Sequence, residues 1–211
     1  MTATEFQSAL EESMSVELER LGSSKLLIAL TDADLTAEHV LRTAADSECA
    51  AAETFETWVD DEADESARDA FAEFRDQERD HFDRVVAMLD SEDEVTDVDG
   101  GPMHDRLRSL ETTLDRLGGA VGRALVGDRT HLQVVNFFVN DGDERLADSF
   151  RDLRTETAAQ GDVAGALLEE VCDESGDWDR ARASAEYVID VAYESYADSL
   201  DELGLDPRPI C

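Results

Sequence analysis

The sequence contains a single lysine, Lys25, three prolines, Pro102, Pro207 and Pro209, and three cysteines, Cys49, Cys172 and Cys211. With 18 basic residues against 53 acidic ones and a formal net charge of −35, no basic stripe exists to release counterions from a phosphate backbone. Nucleic acid is therefore excluded as an expected partner. The odd, widely spaced cysteines form no C-x-x-C pair, which argues against a disulfide framework, a zinc ribbon and a rubredoxin-type iron site. No basic-then-apolar leader opens the chain, and no run approaches the ~20 apolar residues a membrane span requires. The expected location is the cytoplasm, with no membrane partner.

What is abundant is carboxylate, spread along the whole chain rather than gathered in a tail. Most of these side chains read as solvated helix faces. At low ionic strength such a charge strains a compact state through self-repulsion, so the composition implies folding in strong screening salt, as in a halophilic cytoplasm.

The prolines fall at boundaries, no period-two alternation stands out, and apolar residues recur at helical spacing, so the expected fold class is all-α. The 211 residues suit one domain, 1–211, with a sizeable core. A first helix is expected over 3–22, closed by Gly22 and Ser23. The next spans 36–59, capped by Thr36, with an inward stripe of Leu41, Ala44, Glu48, Ala51, Phe55 and Trp58. After the acidic turn 60–64 a helix to about residue 90 carries Ala67, Phe71, Phe74, Glu78, His81, Val85 and Met88. The two form a first core hairpin, 36–90. A polar stretch from Ser91 opens a crossover, 91–115, in which Pro102 starts a short helix at its first position. A continuous helix over 103–140 would run ~57 Å, too long for one bundle edge, so the second core hairpin is placed at 116–170, with a kink near Gly127. Its stripes read Val121, Ala124, Asp128, His131, Val135 and Phe138, then Leu146, Phe150, Leu153, Thr157, Gln160 and Ala164. An accessory helix, 177–203, closes the chain.

The two hairpins look like copies. Phe71 and Phe74 match Phe150 and Leu153 at a shift of 79 residues. Counted outward from each turn, Glu48, Glu78, Asp128 and Thr157 lie at corresponding distances, so uniform helix rise predicts one shared layer. Polar residues interrupt all four apolar stripes there. Charge on a core stripe is costly unless paired or metal-bound. Glu78 and His81, three apart, project from one helix face, and with a facing carboxylate they suit iron, manganese or zinc.

Glu48 in the first core helix, Phe55 seven residues on, and Gln77-Glu78-Arg79-Asp80-His81 in the second resemble the rubrerythrin branch of the ferritin-like superfamily, over residues 36–170. The resemblance implies a four-helix bundle with a long crossover and a carboxylate-bridged site for one or two iron or manganese ions. Its metal ligands here would be Glu48, Glu78, His81, Asp128 and His131. The second half departs from the family pattern. Asp128 stands for a glutamate, and Thr157 and Gln160 stand where a second Glu-x-x-His is expected. His131, one turn from Asp128, partly compensates, while Glu156 is adjacent but off the stripe. The family's rubredoxin-like module is absent.

Two functions follow: a metal-dependent oxidoreductase or metal-handling protein, and a non-catalytic ferritin-like bundle that has lost its metal and serves as a dimerising or partner-binding module. The expected assembly is a homo-oligomer. His39 and His104, near helix starts, are expected at the surface. Gly118, Gly119, Gly122, Gly161 and Gly165 are expected to mark close helix approach, Tyr187, Tyr193 and Tyr196 to pack the last helix, and Cys172 to lie in the core. Cys211, at the end of the sequence, has nothing near it in sequence to activate its thiol.

Overall fold

The computed structural model describes residues 1–89 and 100–207. Its regular structure, among the described residues, is entirely helical. The elements are α1 (Ala3–Ser13), α2 (Ser15–Leu21), α3 (Lys25–Leu30), α4 (Ala37–Asp61), α5 (Glu65–Val86), α6 (Gly101–Arg108), α7 (Thr113–Asp141), α8 (Glu144–Val171) and α9 (Ser175–Glu202). The first part of the expected crossover, and Cys211, lie outside the described residues.

The starts of the long helices follow from local chemistry. Thr36, Asp64, Thr112 and Asp143 each accept a backbone N–H of the first turn, from His39, Ala67, Asp115 and Leu146, satisfying donors that a helix start otherwise leaves unpaired. Gly142, at φ 85°, closes α7 in the left-handed conformation that glycine adopts without strain. The expected single helix over 3–22 is divided at Met14 (φ −104°, ψ 22°) into α1 and α2, and a third short helix, α3, follows. Helix α7 is one element across Gly127; at 1.5 Å per residue it runs about 43 Å.

Helices α4 and α5 pack as one hairpin and α7 and α8 as another; α5 meets α8, α4 meets α7, and α9 lies along α7. The α4–α5 turn is locked to the start of α7. Arg116, buried, reaches Glu62 at 3.0 Å, Asp61 at 3.1 Å and the Leu110 carbonyl at 3.0 Å. The Trp58 indole donates to the Leu107 carbonyl at 3.1 Å. Removing one partner of a buried pair such as Arg116–Glu62 costs about 3–5 kcal/mol, because the survivor stays desolvated. The α7–α9 approach requires glycine. A Cβ at Gly118 would sit 2.1 Å from the Ala181 carbonyl oxygen, and one at Gly122 2.7 Å from that of Ala185.

The apolar interior is divided. One cluster holds Phe55, Trp58, Phe71, Phe74, Leu117, Val121, Ala164 and Leu168 with Phe6 and Trp178. The other holds Val40, Leu41, Val85, Val134, Phe138, Phe150 and Leu153. Along each of α4, α5, α7 and α8 the chain leaves one cluster and enters the other, and between them it carries buried polar residues: Glu48, Glu78 with His81, His131, and Thr157 with Gln160. Among the described residues, no helix is long and apolar enough to cross a membrane.

Candidate metal centre

At the middle of this polar layer, Glu48 from α4 meets Glu78 and His81 from α5. The i, i+3 spacing puts Glu78 and His81 on one helix face, and burial is nearly complete, with 2 %, 0 % and 0 % exposure. Glu48 Oε2 and Glu78 Oε2 each lie 3.6 Å from His81 Nδ1, beyond hydrogen-bond range, and neither Glu48 Oε2 nor His81 Nδ1 has a hydrogen-bond partner. All three fall within 4.8 Å of one another. Two ligands held ~2.1 Å from one ion are separated by roughly 3.0–3.5 Å, slightly less than the 3.6 Å found here, so the group could hold a cation after a small contraction.

Neighbouring groups orient these side chains. His81 Nε2 donates to Glu156 Oε2 at 2.7 Å, so the nitrogen facing Glu48 and Glu78 is Nδ1. Arg84 donates to the same Glu156 oxygen at 2.8 Å. A carboxylate behind a ligating histidine fixes the ring's tautomer and raises its basicity. His131 Nε2 donates to Glu48 Oε1 at 2.8 Å. Glu78 Oε1 accepts from the Gln160 amide at 2.6 Å, while Glu78 Oε2 is ion-paired with Arg123 at 3.0 Å. Arg123 donates its other arm to Gln160 Oε1 at 2.9 Å, and its guanidinium lies over the Phe55 ring. Burial opposes charge on His81, but the carboxylates of Glu48 and Glu78 outweigh it and push its pKa up to about 10. Burial likewise raises the Glu48 carboxyl, yet His131, His81 and Glu78 together hold it well below the usual carboxylate range. Without a cation the layer thus uses protons and Arg123 to balance its carboxylates.

Of the residues expected to hold metal, Glu48, Glu78 and His81 are brought together, and His131 stands behind Glu48. Asp128 is not among them. Its carboxylate accepts from Arg154 at 2.7 and 3.2 Å and from Arg129. The position facing Thr157 is Gly127, where a Cβ would come within 2.9 Å of Thr157 Cγ2. The inward stripe of α7 is therefore Ala120, Ala124, Gly127, His131, Val134 and Phe138, one residue out of phase with the expected one at this layer. Thr157 is fully buried with its hydroxyl unpaired. Arg123 was not anticipated, because a lone arginine in sequence reads as surface. The signal for Glu156 was its place next to Thr157, on the side of α8 that faces α5.

His104 departs most from its expected surface position; it is 2 % exposed. The Thr54 hydroxyl donates to the Ala50 carbonyl at 2.8 Å and lies 3.2 Å from His104 Nδ1. With that hydroxyl hydrogen already committed, Nδ1–H is the donor and Nε2 carries a bare lone pair, unpartnered. Burial, reinforced by Arg123 and Arg108 and opposed by Glu48, pushes the ring's pKa down to about 3. A histidine with a depressed folded pKa binds fewer protons folded than unfolded. Its contribution to stability is full above pH ~6.5 and is lost as pH falls toward 3. Between pH 6.5 and 4.5, chemical denaturation should show wild type losing roughly 2–3 kcal/mol more than His104→Phe. Parallel pH curves for the two proteins would contradict a buried neutral ring.

Beside the centre lies a cavity of about 330 Å³, bounded by α3, α4, α6, α7 and α9. Glu48, His131, Arg123 and His104 belong to its wall, and the rest is largely apolar. Comparison of the chain with protein-family models, curated proteins and solved structures finds no match in any of the three.

Proposed function

We propose that the protein is a ferritin-like, rubrerythrin-related metal-binding bundle that holds a single iron or manganese ion between Glu48, Glu78 and His81. The observation that carries this reading is the convergence of Glu48 Oε2, Glu78 Oε2 and His81 Nδ1, deeply buried, with Glu48 Oε2 and His81 Nδ1 left without hydrogen-bond partners and Glu78 Oε2 paired only with Arg123. Two carboxylates and an imidazole form a hard-to-borderline donor set suited to such ions. A bound ion would supply redox chemistry toward oxygen or peroxide, the basis of a non-haem oxidoreductase or metal-handling role. Glu156 keeps a proton on His81 Nε2 and His131 holds Glu48 in place, and a bound cation would take the position of the proton on Nδ1.

One ion, not two, is the expected stoichiometry. The guanidinium of Arg123, 3.0 Å from the same Glu78 Oε2, already opposes positive charge at this oxygen, and Gly127, Thr157 and Gln160 contribute no charge to hold a second ion. The same contacts favour a second reading, a non-catalytic bundle acting as a dimerisation or protein-interaction module, since Arg123 and the histidines already offset the buried carboxylates. Elemental analysis after iron or manganese loading in molar salt separates the two. One ion per chain supports the metal protein; protein that stays metal-free rules it out in favour of the interaction module.

A further inference from the structure

At a shift of 79 residues, Glu48, Glu78 and His81 of the first hairpin correspond to Gly127, Thr157 and Gln160 of the second, and none of these three carries charge. The second hairpin brings a cation instead. Arg123, one turn before Gly127 on α7, is 4 % exposed, and its guanidinium stays charged whatever the pH. It lies 3.0 Å from Glu78 Oε2, the same oxygen that converges with Glu48 and His81. Gln160 clamps both members of this pair. Its amide oxygen accepts from Arg123 at 2.9 Å, and its amide nitrogen donates to Glu78 Oε1 at 2.6 Å and to Gln77 Oε1 at 2.7 Å. The Phe55 ring, its centroid 5.4 Å from the guanidinium carbon, covers the charge from α4. Each of these contacts holds a positive charge beside an oxygen that a metal ion would need.

A guanidinium and a metal ion at one carboxylate oxygen repel each other, and burial leaves little solvent to screen them. We propose that Arg123 is the resident cation of the centre: in the metal-free protein it stands in for the charge of an ion at Glu78, and it competes with an incoming ion for that carboxylate. This role rests on the metal reading above and narrows it. A centre with its own cation stays folded when empty and holds a metal ion loosely enough to release it. That is the behaviour of a metal-handling protein rather than of one that retains a fixed redox cofactor.

The test compares wild type, Arg123→Gln and Arg123→Lys as chelator-treated full-length proteins in molar potassium chloride. Manganese(II) affinity is read from the free ion by electron paramagnetic resonance, and folding by circular dichroism with and without manganese. Glutamine removes the charge, whereas lysine keeps the charge without the planar fork. The expected result is manganese held at least about tenfold more tightly by Arg123→Gln than by wild type, with Arg123→Lys within about threefold of wild type. An affinity unchanged or weakened in Arg123→Gln, or raised equally in Arg123→Lys, would overturn the proposal while leaving the metal reading intact. If Arg123→Gln is unfolded without metal, folding on addition of manganese supports the resident-cation role, and failure to fold with manganese overturns it. Manganese bound by Arg123→Gln but not by wild type keeps the role and removes the metal reading for the native protein. Binding by neither removes both.

Discussion

Glu78→Gln is expected to lower iron or manganese affinity by more than about 100-fold and to leave essentially no metal on the purified protein. Glu78 has both oxygens engaged across the layer, one near His81 and Arg123 and the other on Gln160. Glutamine keeps the volume and a hydrogen bond to its neighbours but removes the charge a cation needs. Glu156→Gln, which acts on His81 from behind, is expected to cost less, in the 10–100-fold range of residues that orient a ligand. Glu78→Ala would confound the measurement, because it strands Arg123 as an unpaired buried charge at a cost of about 3–5 kcal/mol. Elemental analysis and competition with a calibrated chelator give the ranking. Wild-type affinity retained in Glu78→Gln would remove this residue from the metal-ligand set.

The second large effect is on the fold. Lowering salt from molar to about 10 mM lengthens the screening distance from ~3 to ~30 Å, so carboxylates on neighbouring helices begin to repel across the whole molecule. The same change strengthens the surface ion pairs, such as Arg42–Glu38 and Arg84–Asp80. Each exposed pair contributes at most about 1 kcal/mol, and 18 basic residues cannot neutralise 53 acidic ones. Repulsion therefore wins. The thermal midpoint is expected to fall by at least about 10 °C, equivalent to roughly 3–5 kcal/mol for a chain of this size, with helicity lost in dilute buffer. A midpoint and circular dichroism spectrum unchanged after dialysis would show that screening is unimportant.

The helical class could be read from apolar spacing, because four long amphipathic segments each bury one face. Glu48, Glu78 and His81 were equally legible. Each interrupts an otherwise apolar stripe on a helix whose outer face is plainly charged, so the stripe's phase is certain. Helix α7 offers no such contrast. It packs on α8 on one side and on α9 on another, so apolar residues surround much of it and two stripes compete for the seam. Its true inward residue, Gly127, has no side chain to mark the position, and Asp128 beside it attracted the assignment. Arg123 and His104 were missed for a related reason. A charged or polar residue is recognised as buried only through its partners, and Glu78, Gln160 and Thr54 are 45, 37 and 50 residues away.

The division of the apolar interior by a polar layer bears on how the helices find their alignment. Two uniformly greasy hairpins could slide past each other by one heptad and still bury comparable area, since leucine and phenylalanine recur on both sides. Here a slide of one heptad would part Glu78 from Arg123 and Gln160 and Glu48 from His131, leaving Arg123 buried without its carboxylate at a cost of several kcal/mol. The layer thus acts as an alignment key: it adds little to the depth of the native well, but it raises the floor of every neighbouring one.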